Sequence, residues 1–169
     1  MCAVAIETNG MLAESFKHAM RAAVSSVTII TTADAGGGHH AMTATAVTSV
    51  SVAPPILLVC VNRSASIHRH LSQSVRFCVN LLAPQHRELA KSCGSPKGKQ
   101  ERFQNDAWSV DQHGIPYLPD AQASFFCDVA HAFDVGTHTI LCGIVKELKM
   151  ADHVNPLFYV NGAFQSLGM

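Results

Sequence analysis

Residues 40–63 read HAMTATAVTSVSVAPPILLVCVNR, and this stretch decides the predicted fold. Its first half intersperses small and aliphatic residues with hydroxyl-bearing ones, which predicts a strand over residues 41–52. Its second half, PPILLVCVN at residues 54–62, is an uninterrupted apolar run between two prolines and the polar pair Asn62–Arg63. Such a run is typical of a strand that is buried on both faces.

The hydroxyl groups of the first strand need hydrogen-bond partners, because a buried hydroxyl without one costs about 1–3 kcal/mol. They belong to Thr43, Thr45, Thr48, Ser49 and Ser51. One interpretation is that threonine is simply a good strand former and that these side chains line a solvated face or bond to the neighbouring strand. The other is that they surround a phosphorylated ligand, with Asn62 and Arg63 binding its phosphate at the end of the next strand.

The rest of the chain predicts a single mostly β domain over residues 1–169, with its core at about residues 15–165. Roughly six strands with two or three short helices and mostly local connections favour a β-barrel with helical decoration over a doubly wound sheet. Helices are predicted at residues 11–24, 64–74 and 84–93. Strands are predicted at residues 26–34, 41–52, 54–62, 75–83, 121–135, 137–148 and 155–164.

The charge balance excludes one class of partner and favours another. Twelve Lys and Arg residues offset twelve Asp and Glu residues, so the basic surface typical of a nucleic-acid binder is missing and no nucleic-acid partner is predicted. Charged residues make up only 14% of the chain, against roughly 25% in an average soluble domain. Because so little charge is available to cover a monomer's surface, a homodimer with a large apolar interface is predicted.

The six cysteines are scattered without a CxxC pair, and most lie in apolar runs where a free thiol behaves as a small hydrophobic side chain. This usage predicts a reduced, cytoplasmic protein. No window approaches the ~18 apolar residues of a membrane span, and the N-terminus lacks a signal-peptide pattern. The chain is therefore predicted to be soluble, with no membrane partner.

Two familiar kinds of site lack their sequence patterns. A Rossmann unit needs GxGxxG between a strand and a helix, whereas AGGGHH at residues 35–40 lies in a predicted hairpin turn with different spacing. Among ten histidines, the closest sets are His39–His40 and His68–His70. His68 and His70 are two apart on a predicted helix and do not share a face. Since spacing places no third ligand beside either pair, no metal site is predicted.

Several segments, in their order along the chain, resemble the flavin reductase-like proteins of the FMN-binding split-barrel fold, in particular the small reductase components of two-component flavin-dependent monooxygenases. The matching segments are SVTIITT, AMTATAVTSVSVAPPILLVCVNR, RFCVNLL, THTILCGIV and the closing NPLFYVNGAF. The most specific part is MTATAVTSVSVAPP followed by VCVNR. The resemblance implies a six-stranded Greek-key split barrel that forms a homodimer, with flavin bound between strand edges near the subunit interface.

The resemblance also implies flavin contacts by position. The segment that meets the flavin ring and ribityl chain is Thr43, Ala44, Thr45 and Ala46. The segment near the ribityl chain and phosphate comprises Cys60, Asn62, Arg63, Ser64 and Ser66. A further flavin-contacting strand contains Phe77, Val79 and Asn80. Ala46 stands where many relatives carry a hydroxyl, so only its backbone N–H is expected to contact the ligand.

His138 begins a predicted strand and shares a face with Ile140 and Cys142. On pattern alone, a histidine in that place is commonly a satisfied edge residue. The family often carries Gly-Asp-His at this turn, in association with nicotinamide nucleotide binding, and Gly136-Thr137-His138 keeps the histidine but not the acid. The resemblance therefore implies that His138 contacts NAD(P)H without being a required proton donor.

Two further groups carry weaker signals. Aromatic and glycine residues of the closing segment either line the same cleft or belong to the core, namely Tyr159, Gly162 and Phe164. The polar stretch at residues 94–108 contains Lys97, Lys99 and Arg102, which are able to meet phosphates but are expected to form a solvated surface.

The chemistry implied by the resemblance is hydride transfer from the nicotinamide C4 to the flavin N5, for which the protein supplies orientation. The sequence accordingly shows no Ser/His/Asp or paired-carboxylate pattern. The predicted function is an NAD(P)H:flavin oxidoreductase that supplies reduced FMN or FAD to a separate monooxygenase component. The alternatives are an FMN oxidase that retains its flavin and a flavin- or haem-binding protein without turnover.

Overall fold

The computed structural model describes residues 10–72, 75–95, 101–104 and 106–167. The helices are α1 Gly10–Met20, α2 His68–Leu71 and α3 Arg87–Gly94, with 3-10 turns at Pro84–His86 and Glu101–Phe103. The strands are β1 Ser25–Ser26, β2 Thr28–Ala33, β3 His39–Ala44, β4 Val47–Val52, β5 Pro55–Asn62, β6 Arg76–Leu81, β7 Ser109–Val110, β8 Pro116–Tyr117, β9 Ala123–Val135, β10 His138–Met150, β11 Leu157–Val160 and β12 Ala163–Ser166. The predicted class, mostly β with short helices, is confirmed.

Most strands belong to one antiparallel sheet of seven strands in the order β3-β2-β6-β9-β10-β5-β4. A three-stranded sheet, β1-β11-β12, and a two-stranded one, β7-β8, lie beside it. Three local hairpins supply six of the seven strands, because β2 pairs with β3, β4 with β5 and β9 with β10. The β9–β10 hairpin joins the other pieces, since β9 also pairs with β6 and β10 with β5.

The two edge strands of this sheet, β3 and β4, are neighbours in the chain. Only Thr45 and Ala46 separate Ala44 at the end of β3 from Val47 at the start of β4. Three virtual Cα–Cα steps span at most about 11 Å, whereas the outer strands of a flat seven-stranded sheet would lie about 29 Å apart. The sheet must therefore curl until its two edges approach each other.

The curled sheet has an apolar interior and a second core on its outside. The interior cluster contains Ile30, Val59, Phe77 and Leu141, each at most 2% exposed. The outer cluster packs β2 against α3 and β11 and includes Ile29, whose backbone neighbour Ile30 faces the interior. Because successive side chains of a strand point to opposite faces, β2 is buried on both sides.

Strand β5 is buried on one face only within the single chain. Leu57, Val59 and Val61 point into the interior, where each is at most 8% exposed. The alternate side chains of β5 are half-buried, and they lie opposite half-buried apolar side chains of β10. We call this surface the apolar outer face; it consists of Ile56, Leu58, Cys60, Ile140, Cys142 and Ile144.

Two predicted strands are each divided in two. The predicted strand 41–52 breaks at the β3–β4 link, because its residues must pass from one sheet edge to the other. The predicted closing strand 155–164 is the β11–β12 hairpin, which turns at Asn161 and Gly162. Both residues have positive φ, 49° and 79°, as a two-residue turn of this hand requires.

Helix α1 confirms the predicted N-terminal helix but none of its side chains is buried. Its large apolar side chains are exposed, with Leu12, Phe16 and Met20 at 67%, 63% and 53% exposure. Within the described parts of the chain, we find no helix with the length and apolar character that a membrane crossing requires.

Candidate functional site

A cavity of about 260 Å³ lies where the edge strand β3 meets the loop after β5 and the end of α3. Its walls combine hydroxyl side chains with one guanidinium group and backbone. The lining residues are Ala41, Met42, Thr43, Ser64, Ala65, Ser66, Cys93, Gly94, Ser95 and Arg102. Three of the predicted site residues, Thr43, Ser64 and Ser66, are thus brought together.

The hydroxyl-rich segment divides between this cavity and solvent. The Thr43 hydroxyl donates to the Ala90 carbonyl over 2.6 Å and so ties β3 to α3. Thr45 lies in the exposed β3–β4 link, and Thr48 and Ser49 are exposed on β4. Thr43 therefore lines the cavity while its hydroxyl proton is donated to α3, and the solvated-face interpretation applies to Thr48 and Ser49.

Asn62 organises the loop that carries the two cavity serines. Its side-chain Oδ1 accepts hydrogen bonds from the Ser64 backbone N–H at 2.9 Å and from the Ser64 hydroxyl at 2.8 Å. The Asn62 carbonyl also accepts a bond from the Ala65 N–H. Asn62 thus shapes the loop and does not itself line the cavity.

Arg63 lies outside the cavity and holds the turn between β9 and β10. Its Nη2 donates to the Gly136 carbonyl over 2.6 Å, and its backbone N–H donates to the Thr137 carbonyl. His138 lies opposite Asn62 in the β5–β10 ladder, and its Nδ1 is 2.9 Å from the Thr137 hydroxyl. We call Arg63, Gly136, Thr137 and His138 the His138 corner; it adjoins the cavity through the loop of Ser64.

Arg102 is the cation of the cavity, and its expected place on a solvated surface is wrong. The side chain is only 4% exposed. Its Nη1 donates to the Ala41 carbonyl over 3.2 Å and its Nη2 to the Ser95 carbonyl, while the Trp108 indole N–H bonds the Arg102 carbonyl. Burial of a guanidinium is costly unless it is hydrogen-bonded or has a counter-charge, and the bonds to the Ala41 and Ser95 carbonyls offset part of that cost.

Sequence reasoning missed Arg102 because nothing in its local pattern distinguishes it from the other basic residues of the polar stretch at 94–108. Lys97 and Lys99 lie outside the described residues. The cavity residues Met42, Cys93, Gly94 and Ser95 were also missed. Only the predicted α3 helix gave a signal, since Cys93 and Gly94 lie in its final turn and Ser95 follows it.

Cys93 does not supply a nucleophile to the cavity. Burial raises the pKa of the Cys93 thiol to about 11, so the thiol stays protonated at neutral pH. The cavity therefore offers the Ser66 hydroxyl, the oxygen lone pairs of the Thr43 and Ser64 hydroxyls, and one guanidinium, without an Asp, Glu or His among its lining residues. This donor set fits a phosphorylated, hydroxyl-bearing ligand and supplies no acid–base pair.

Other predicted flavin contacts lie away from this cavity. Phe77 and Val79 are each 1% exposed in the interior cluster. Asn80 is fully buried; its Nδ2 donates to the Ile29 carbonyl at 3.1 Å, and its Oδ1 accepts from Ser124 at 3.0 Å. Tyr159 packs edge-on against Phe164 in the outer core. Their proposed roles in ligand binding stay predictions.

The remaining predicted residues do not line the cavity. Ala44 is 8% exposed in the interior cluster, and its carbonyl accepts the Thr28 hydroxyl at 2.7 Å. Ala46 is exposed in the link, where its carbonyl accepts the Cys60 N–H at 3.0 Å. Cys60 itself belongs to the apolar outer face.

Sequence comparison places most of the chain in one group of proteins. The profile of the flavin reductase like domain family matches residues 20–168. The chain is 39% identical over 157 residues to the FMN reductase (NADH) RutF of Stutzerimonas stutzeri, covering 93% of this chain and 90% of that protein. It is 36% identical over 152 residues to the reductase component of the FADH(2)-dependent resorcinol hydroxylase of a Rhizobium species, covering 89% and 85%.

Structural comparison finds the same group. BorF, the flavin reductase component of a bacterial two-component tryptophan halogenase, superimposes with a TM-score of 0.82 at 31% sequence identity. The superposition covers 92% of this chain and 98% of BorF.

Proposed function

The chain belongs to the flavin reductase like domain family, and from that premise we propose that it transfers a hydride from NADH or NADPH to FMN or FAD and supplies the reduced flavin to a separate monooxygenase component. The reaction converts NADH, a proton and oxidised flavin into NAD⁺ and reduced flavin. The flavin supplies the electron-accepting N5 position when bound. The protein contributes binding and orientation.

The observation that carries the proposal is the cavity built from the Thr43, Ser64 and Ser66 hydroxyls around the buried Arg102. The guanidinium and the Ser66 hydroxyl match a phosphate group. The Thr43 and Ser64 hydroxyls donate within the protein, so their oxygens are acceptors for the ribityl hydroxyl groups. The cavity of about 260 Å³ is slightly smaller than a typical small-molecule pocket of ~300 Å³ or more. We therefore assign it to the phosphate-bearing end of the flavin.

The His138 corner is the proposed contact for the nicotinamide nucleotide. Arg63 holds the Gly136 carbonyl, and Thr137 lies 2.9 Å from the His138 imidazole, so the turn presents the histidine in a fixed direction. His138 is half-buried beside the loop that carries Ser64. This position of His138 supports a nicotinamide site next to the proposed flavin cavity.

The family's six-stranded Greek-key split barrel is the proposed description of the curled sheet. The two-residue β3–β4 link requires the edges to approach. The Cys60 N–H also bonds the Ala46 carbonyl at the start of the edge strand β4. These features support a barrel that is split between β3 and β4.

We further propose a homodimer that covers the apolar outer face. Cys60 lies opposite Ile140 and Leu58 opposite Cys142 in the β5–β10 ladder, so apolar side chains adjoin across two strands. Phe133, which lies opposite Ile140 on β9, is 53% exposed. A two-fold contact of this face with its own copy would bury the second side of β5.

Leu58→Arg is expected to convert the dimer to a monomer, because it places a charge within the apolar outer face. Light scattering during gel filtration gives the mass. Val110→Arg is the matched control, since Val110 is 54% exposed on β7, away from this face. A wild-type monomer, or a dimer that survives Leu58→Arg unchanged, would contradict the proposed interface.

The function is tested by the oxidation of NADH and NADPH with and without added FMN, FAD or riboflavin. We expect the rate of nicotinamide oxidation to rise with added free flavin. The reason is that reduced flavin leaves the protein and oxidised flavin must bind before the next cycle. A flavin that remains bound through gel filtration, without nicotinamide oxidation, would instead indicate a binding protein. Absence of turnover with every nucleotide and flavin would refute the reductase assignment.

His138→Ala is expected to raise the KM for NADH about three- to tenfold, the effect of losing one or two hydrogen bonds, and to change the KM for flavin much less. Steady-state assays that vary each substrate separately measure both constants. His113→Ala is the control, because His113 is exposed on the turn before β8. Equal increases of both constants would refute the proposed nicotinamide contact.

A further inference from the structure

Three side chains from separate parts of the fold converge beside the flavin cavity. Asp34 directly follows β2 and begins the turn to β3, His40 lies in β3, and His70 lies in α2. The His40 Nε2 is 2.8 Å from the Asp34 Oδ2, and the His70 Nδ1 is 3.9 Å from the same oxygen. The three ligand atoms all lie within 4.8 Å of one another. Sequence spacing missed this group because it takes one histidine from each of the two pairs and adds a distant acid.

The turn between β2 and β3 holds the Asp34 carboxylate in a fixed position. Its Oδ1 accepts the Gly36 N–H at 3.0 Å and the Gly38 N–H at 2.8 Å. A Cβ at Gly38 would lie 2.7 Å from the Asp34 Oδ2, so glycine is needed for this close approach. The backbone thus occupies one carboxylate oxygen and leaves the other directed toward the two imidazoles.

We propose that Asp34, His40 and His70 bind a divalent cation of the zinc class. Two imidazole nitrogens and one carboxylate oxygen form a donor set that zinc commonly takes, with further positions left for water. Ligand atoms about 2.1 Å from a tetrahedral cation lie about 3.4 Å apart. The observed separations from Oδ2, 2.8 and 3.9 Å, bracket that value.

Binding requires one imidazole to turn. The His40 and His70 rings are stacked, with centroids 3.4 Å apart and an angle of 13° between their planes. A cation close to both rings therefore cannot lie in the planes of both. His70 is the ring that turns, because the His40 Nε2 already points at the Asp34 carboxylate over 2.8 Å. The His70 Nε2 accepts a hydrogen bond from the Nε of the exposed Arg69 at 2.9 Å. Once the His70 Nδ1 binds a cation, the His70 Nε2 must carry the proton of the ring, so Arg69 must move away.

The bound cation would connect the β2–β3 turn to α2. Ser66, two residues before α2, lines both the flavin cavity and a neighbouring cavity of about 440 Å³ that His40 and His70 also line. The cation site therefore adjoins the proposed flavin site without sharing Arg102 or Thr43. Its presence does not depend on the proposed function.

Cobalt titration of the full chain tests the site, because tetrahedral Co²⁺ absorbs visible light and zinc displaces it. We expect one Co²⁺ per chain, displaced by Zn²⁺, with the dissociation constant raised at least about 100-fold in His70→Ala, since a lost ligand should exceed the 10–100-fold effect of lost outer partners. His40→Ala should behave likewise. His113→Ala, at an exposed histidine outside the cluster, should bind as the wild type does.

Thermal melting without added metal establishes that each variant is folded before it is titrated. If His70→Ala is unfolded, His70→Gln provides the same comparison with a longer polar side chain. Saturable binding that persists unchanged in both histidine variants would overturn the proposal. Failure of the wild type to take up stoichiometric Co²⁺ or Zn²⁺ would overturn it as well, whatever the reductase assay shows.

Discussion

Arg102→Ala is expected to raise the dissociation constant for FMN about 30-fold, the effect of losing one charge-assisted hydrogen bond to phosphate. Riboflavin, which has no phosphate, should lose far less. The reason is that Arg102 is the cation among the residues that line the cavity, and it is held there by the Ala41 and Ser95 carbonyls. Quenching of flavin fluorescence measures both constants.

Arg63→Ala is the matched comparison, because it removes the guanidinium that the resemblance associates with the phosphate. In the structure this group bonds the Gly136 carbonyl outside the cavity, so FMN binding should change little. Because Arg102 is buried, two milder variants test the same cavity. Arg102→Lys keeps the positive charge, and Ser66→Ala removes one hydroxyl group. A 30-fold loss in Arg63→Ala, together with unchanged binding in Arg102→Lys and Ser66→Ala, would assign the phosphate to the His138 corner instead.

Gly143→Ala is expected to lower the free energy of unfolding by about 2–4 kcal/mol, at or above the usual cost of overpacking. Gly143 lies in the middle of β10, facing the interior. An added Cβ would lie 2.4 Å from the Phe77 Cζ and 2.8 Å from the Cys127 Cβ. The Phe77 ring is 1% exposed and belongs to the interior cluster, so relief of the contact requires that cluster to repack. Urea unfolding followed by circular dichroism gives the difference.

Gly10→Ala is the control for the substitution itself, because a Cβ at this helix residue meets nothing within 4 Å. It should leave stability unchanged or raise it slightly. The double variant Gly143→Ala/Phe77→Leu should lose less than the sum of its single variants, because the smaller side chain removes the clash. Additive losses would show that the clash with Phe77 is not the cause.

The strand content of the fold was predictable, and the division of one strand was not. The apolar run at residues 54–62 corresponds to β5 because hydrophobic sequence and strand propensity agree there. The break at Thr45 and Ala46 gives no sequence signal, since β-type residues continue on both sides. It arises from the sheet order, which places β3 and β4 at opposite edges. A local pattern carries no information about such a non-local requirement.

The candidate site was predictable where its residues follow a recognisable strand. Ser64 and Ser66 come directly after β5, and Thr43 lies in the hydroxyl-rich segment. Arg102 was assigned to solvent because lysine and arginine in a polar stretch are usually exposed. Its burial depends on contacts with Ala41 and Ser95, and the bond to Ala41 joins residues 61 positions apart. Only the folded chain reveals that pairing.

The position of the β9–β10 hairpin in the sheet has a consequence for synthesis on the ribosome. The β2–β3 and β4–β5 hairpins are complete once residue 62 has emerged, yet in the finished sheet they are joined only through β6, β9 and β10. Until residues 123–150 follow, the nascent chain carries open edges on β5 and β6, and open edges invite pairing with other chains. The sheet therefore forms only after residues 123–150 have emerged, and an interrupted chain that ends before residue 123 is the species most prone to aggregate.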